Sequence, residues 1–73
     1  MLKDKPIKLD VFARRLTSLI NNSSETTYSL ANKLGLTPAT ISRYANGLMK
    51  PKVTTLKLIA QIFDVNDEWL MGY

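Results

Sequence analysis

The sequence of 73 residues contains no cysteine and no histidine. Their absence removes disulfide staples, thiol chemistry, the common soft metal ligands and imidazole acid–base catalysis together, and with them most enzyme mechanisms. No apolar run approaches the ~18 residues that a membrane span needs, and the start Met1-Leu2-Lys3-Asp4-Lys5-Pro6 lacks the apolar stretch of a secretion signal. The expectation is a cytoplasmic protein that is not an enzyme, with no cofactor, no metal and no membrane partner. Glycine and proline number three each, so each one present marks structure. Acidic residues are few and unevenly placed. None falls between Glu25 and Asp64, a stretch that holds Lys33, Arg43, Lys50, Lys52 and Lys57.

What is present is a basic chain able to fold. Ten Lys and Arg against six Asp and Glu give a net charge of +4, which favours a polyanionic partner. The 45% hydrophobic and 22% charged fractions are those of a folded domain rather than a disordered one. A chain this short hides only about 60% of its unfolded surface, so it forms one small domain stabilised by local packing.

The apolar spacing predicts helices. Leu9, Phe12, Leu16, Leu19 and Ile20 recur at three- and four-residue intervals, predicting a first helix from about Asp10 to Asn22 with Arg14, Arg15 and Thr17 facing outward. Asn21-Asn22-Ser23-Ser24 ends it by competing for backbone hydrogen bonds. Thr26 can cap a second helix, about 27–34, that turns Leu30, Ala31 and Leu34 inward and stops at Gly35. Thr37-Pro38 restarts the chain as a third helix, about 38–46, with Ile41, Tyr44 and Ala45 on its buried face and Asn46-Gly47 at its end. Pro51 keeps residues 48–52 in a loop. Leu56, Ile59, Ala60 and Phe63 mark a fourth helix, and Asn66 can cap a short fifth one carrying Asp67 and Glu68 in its first turn. Trp69 and Leu70 are expected to close the core, since so small a domain needs its large aromatic inside. Val53-Thr54-Thr55 is weakly strand-like; no other segment suggests a strand.

Two short helices joined by a tight turn containing glycine form a helix-turn-helix, whose second helix can enter the DNA major groove. The run from Thr27 to Gly47 carries the pattern in detail. Small Ala31, four residues before Gly35, lets the helices approach; Gly35 takes the turn conformation; Ile41, six residues after it, pins the second helix to the first. On these residues the chain resembles the lambda-repressor-like (Xre-type) helix-turn-helix family, particularly the N-terminal operator-binding domains of phage repressors. Asn46-Gly47, Pro51, the Leu56-to-Phe63 helix and Trp69-Leu70-Met71-Gly72 extend the likeness over nearly the whole chain.

The resemblance implies an all-α, compact five-helix domain over 9–73; ahead of it, Lys3, Lys5 and Lys8 make 1–8 a flexible basic N-terminal arm, with a solubilising tail as the alternative. It implies sequence-specific binding of double-stranded DNA by a transcriptional repressor, with the third helix in the major groove of an operator half-site. The partners expected are the operator and a second copy of the chain, a homodimer on DNA, with stronger oligomerisation through a segment absent here; the location expected is the bacterial cytoplasm or nucleoid. The matching positions place Pro38, Ala39, Thr40, Ser42 and Arg43 at the bases. Thr27 matches a position that clamps the DNA backbone in similar proteins, and Tyr28, Thr37, Asn46, Lys50 and Lys52 are the further donors expected at phosphates. Arg43 is the best specific reader, because its fork can bind guanine O6 and N7 together; a phosphate contact or a solvated charge are its alternatives.

Two departures from the family pattern stand out. An Arg late in the first helix and a Glu just before Asn-Gly, often an ion pair in the family, are replaced here by Ile20 and Ala45, which are expected to touch. Glu25 stands where the family tends to have an apolar residue, so a looser start to the second helix is expected. Competing readings are a Cro-like or antitoxin-type regulator using the same domain, and a helical protein-interaction module with its face at Trp69–Tyr73. Asp64, Asp67 and Glu68 cluster, but as helix-start residues they suit a dipole better than acid–base work.

Overall fold

Hydroxyl and amide side chains decide where most of the helices begin. The computed structural model describes residues 5–73 and arranges them as α1 (Leu9–Asn21), α2 (Thr27–Leu34), α3 (Pro38–Ala45), α4 (Val53–Phe63) and α5 (Asp67–Met71), with no strand among the described residues. Thr26, Thr37 and Asn66 each accept a hydrogen bond from the backbone N–H three residues on, at Ser29, Thr40 and Trp69. Each such cap contributes about 1 kcal/mol. Pro38 occupies the first turn of α3, where its missing N–H leaves no bond unmade.

The α2 end shows why glycine is required there. Gly35 is left-handed at φ 68°, which lets the Leu36 N–H reach the Ala31 carbonyl at 2.9 Å and satisfies an otherwise orphaned acceptor. A Cβ on Gly35 would meet no atom within 4 Å, so adding one costs backbone conformation alone. Gly35→Ala is expected to lose about 1 kcal/mol net, read as a fall in Tm of about 4–8 °C in thermal unfolding.

The core lies where all five helices meet. Phe12 and Leu16 from α1, Leu30 from α2, Ile41 from α3, Leu56 and Ile59 from α4, and Leu70 and Met71 from α5 are fully buried. Phe12 meets Tyr44 edge-on, with ring centroids 6.2 Å apart and planes at 70°. Tyr44 is thus a core residue on the same face of α3 as Ile41.

Tertiary packing overrides four expectations. Val53-Thr54-Thr55 forms the first turn of α4, because burying Leu56, Ile59 and Ala60 on one helical stripe outweighs the local β preference of three branched residues. Trp69 lies at the surface, 36% exposed, while Leu70 and Met71 fill the core; a five-residue helix offers one inward stripe, and those two occupy it. Arg15 is half-buried rather than outward. It donates to the carbonyls of Trp69 and Tyr73 and sits 4.8 Å over the Trp69 ring, closing the C-terminal end of α5. Asp64 is not at a helix start but takes the left-handed position that ends α4, at φ 54°.

The start of α2 is also tighter than expected. Thr26 and Ser29 form a capping box, and the half-buried Glu25 carboxylate accepts from the Ser29 hydroxyl at 2.8 Å and from the Lys33 ammonium. A carboxylate here replaces apolar packing with a staple between the loop and both ends of α2.

At the N-terminus, residues 1–4 of the expected arm, Lys3 included, lie outside the described residues, and 5–8 are tied to α5. Lys5 pairs with Glu68 at 2.6 Å, the Lys8 N–H donates to the Met71 carbonyl at 2.8 Å, and the Tyr73 hydroxyl donates to the Pro6 carbonyl at 2.8 Å. Lys33 and Ser29 hold the Glu25 carboxyl below its ordinary range, and Lys5 does the same for Glu68; Glu68 in turn raises Lys5. A depressed carboxylate stabilises above its unfolded pKa and loses that contribution as pH falls through its folded one. A raised lysine loses its contribution at the alkaline end. Stability is therefore expected to fall on acidification, and Glu25→Gln to unfold more easily than the parent at neutral pH but nearly alike in acid, as measured by Tm against pH.

Candidate nucleic-acid interface

The recognition surface is built from the α2-turn-α3 unit outward. Leu30 and Ala31 of α2 and Ile41 and Tyr44 of α3 are buried, so the faces that remain are those carrying the polar and small residues. On α3, Ala39, Ser42 and Arg43 are exposed, while Pro38 and Thr40 are half-buried. Thr37 uses its hydroxyl twice at the tip of the helix, accepting from the Thr40 N–H at 3.2 Å and meeting the Thr40 hydroxyl at 3.0 Å.

Two shallow recesses flank Ser42. Thr27, Tyr28, Pro38, Ala39 and Ser42 border one. The other runs along the seam of α1 and α3 and is bordered by Thr17, Ile20, Asn21, Thr27, Ser42, Ala45 and Asn46. Thr27 and Ser42 belong to both, so three of the expected base contacts and three of the expected phosphate contacts share one continuous surface. Thr37, Thr40, Arg43, Lys50 and Lys52 border neither recess. Tyr28 is 75% exposed, a phenol standing clear of the core.

The free positive charge lies beside these recesses in the sequence, on α3, the following loop and α4. Lys33 is neutralised by Glu25, whereas Arg43, Lys50, Lys52 and Lys57 make no ion pair among the described residues. The positive field of the acid-free stretch therefore comes from four side chains on α3, the following loop and α4. Pro51 is buried in that loop between the exposed Lys50 and Lys52, which fixes the backbone from which both lysines project.

A helix-turn-helix family model matches residues 15–70. The chain belongs to the lambda-repressor-like helix-turn-helix family. The solution structure of the SOS-response transcriptional repressor LexA from Eubacterium rectale is similar over 93% of this chain and 72% of that one, with 25% identity and a TM-score of 0.82. No curated protein matches the sequence. Membership, fold and this neighbour agree on a DNA-binding transcription regulator. Among the described residues no helix is long and apolar enough to cross a membrane, and no acidic cluster could hold a metal ion.

In this helix-turn-helix domain the seam between α1 and α3 is apolar at the two positions expected to touch, Ile20 and Ala45. Ile20 and Ala45 are both half-buried against the core and border the same recess. With both positions apolar no charge is stranded at the seam, where an unpaired buried one would cost several kcal/mol. The seam is held instead by Thr17, whose hydroxyl donates to the Ala45 carbonyl at 3.1 Å. Thr17 and Asn21 are the residues at this surface that sequence reasoning missed. Helical periodicity reads Thr17 as outward and Asn21 as a helix stop; only the packing angle of α1 on α3 brings them beside Thr27 and Asn46.

Proposed function

We propose that this domain is the operator-binding module of a transcriptional repressor of the phage-repressor type, acting at the nucleoid with α3 in the major groove of a half-site. The observation that carries the reading is the outer face of α3: Ala39, Ser42 and Arg43 are exposed on the helix that Ile41 and Tyr44 anchor in the core, with unpaired lysines following it. A groove-entering helix needs small or hydrogen-bonding residues on its outer face and cations at its flanks, because base edges specify and phosphates position. Thr27, Tyr28, Thr37, Asn46, Lys50 and Lys52 are the backbone clamps of this reading, and Pro38, Ala39, Thr40, Ser42 and Arg43 its base readers. The E. rectale neighbour is named a transcriptional repressor, which supports the repressor part of this reading.

Two copies would occupy a palindrome with half-site centres about 34–36 Å apart. The test is selection of bound sites from random duplexes, followed by mobility shifts at increasing salt. An inverted repeat at one-turn spacing, with log affinity falling linearly against log salt, is the expected result. Recovery of no preferred sequence would overturn the reading.

A further inference from the structure

We infer that the recess between the starts of α2 and α3 receives the 5-methyl group of a thymine, with the Tyr28 ring, Pro38 and Ala39 as its apolar walls. The inference rests on the reading above, in which α3 faces the base edges. Thr27 and Tyr28 from the first turn of α2, Pro38 and Ala39 from the first turn of α3, and Ser42 one turn further on border this recess. Three of these side chains bring apolar surface to it, and they come from both helices of the motif. Pro38 and Ala39 are consecutive, and neither side chain holds a hydrogen-bond donor or acceptor; Pro38 lacks even a backbone N–H. Their side chains can therefore read a base only by apolar contact.

The walls are set before any partner arrives. Thr37 caps α3 by accepting from the Thr40 N–H, with Pro38 in the turn it caps, and the capping box of Thr26 and Ser29 fixes the start of α2. Tyr28 is 75% exposed and Ala39 is exposed beside it, so apolar area stands in water until something covers it. A major-groove edge has one apolar group to offer, the thymine methyl, while the other groups it displays for reading are donors and acceptors. Seating that methyl in the recess takes it and the walls out of water together. A phosphate gains nothing from such walls, and the Tyr28 hydroxyl, beyond the ring, remains for the backbone contact.

Replacing thymine by uracil removes the methyl and keeps every hydrogen-bonding group, so it isolates the contact. Site selection with the 73-residue chain supplies the duplex, in which uracil then replaces each thymine in turn and affinity is read by mobility shift. At one position of each half-site uracil should weaken binding about three- to fivefold, the effect of leaving one methyl unburied. Tyr28→Ala should bring the thymine-to-uracil ratio at that position close to one, and Ala39→Gly should lower it, while any effect of uracil elsewhere persists. Tyr28→Phe should keep the ratio, since the ring is the wall, even where loss of the hydroxyl weakens both duplexes alike. Thermal unfolding of each variant confirms that it is folded. A selected site in which thymine and uracil bind equally at every position overturns the inference alone, as when a deoxyribose fills the recess. A methyl preference that survives both Tyr28→Ala and Ala39→Gly, or collapses in Tyr28→Phe, overturns it as well. If the parent selects no sequence, the proposed function fails, and the inference with it.

Discussion

Phe12→Ala is expected to bring the domain close to unfolding. A chain of 73 residues has a total stability of about 4–11 kcal/mol, and truncating a fully buried phenylalanine costs about 3–5 kcal/mol through lost transfer energy and the cavity left behind. The position gives this loss a functional meaning. Phe12 stands on α1, and its ring meets Tyr44 edge-on, so it is a direct support of the recognition helix from behind. The fall in Tm should reach at least ~12 °C, with DNA affinity lost in parallel at 37 °C. Phe12→Leu keeps most of the volume and should recover most of the stability. A Tm within a few degrees of the parent for Phe12→Ala would show that the α1–α3 contact is not part of what holds the core.

The second large effect concerns discrimination. Arg43→Ala should reduce the preference for the selected site over random DNA by about five- to 150-fold, the equivalent of about 1–3 kcal/mol for a bidentate guanine contact. Lys50→Ala should behave differently, weakening selected and random duplexes alike and reducing the slope of log affinity against log salt by about 0.9. The contrast follows from geometry: Arg43 projects from the outer face of α3 without an ion pair, and Lys50 from the loop that follows. Arg43→Lys should not restore the preference, because an ammonium lacks the planar fork. Equal weakening of both duplexes by Arg43→Ala, with a flatter salt slope, would make Arg43 a phosphate contact instead.

Much of the recognition unit was legible along the chain because its signals are local. Thr26, Gly35, Thr37-Pro38 and Asn46-Gly47 act through their own backbone within one turn, and Ile41 and Tyr44 are paired by helical spacing. The same locality explains where reading along the chain stopped. Trp69 carries the largest apolar surface in the sequence, yet its exposure is decided by which stripe of α5 faces α1 and α4. Arg15, with three helices between it and α5 in order, finds the Trp69 and Tyr73 carbonyls only once the chain has closed on itself. Glu25 reads as an intrusion in the family pattern until Ser29 and Lys33 are seen around its carboxylate.

The sequence by itself determined that this is a small, basic, five-helix domain without thiol or imidazole chemistry, and that residues 27–47 form a helix-turn-helix. Composition, periodicity and capping are short-range properties, and they suffice for that. Only the tertiary structure decided which side chains of separate helices share the recognition surface. Thr17 and Asn21 stand on α1, yet the packing of α1 against α3 sets them beside Thr27, Ala45 and Asn46, and the Thr17 hydroxyl donates to the Ala45 carbonyl. Arg15 of the same helix reaches the Trp69 and Tyr73 carbonyls at the other end of the chain. These meetings depend on how the helices dock, which short-range periodicity and capping do not carry.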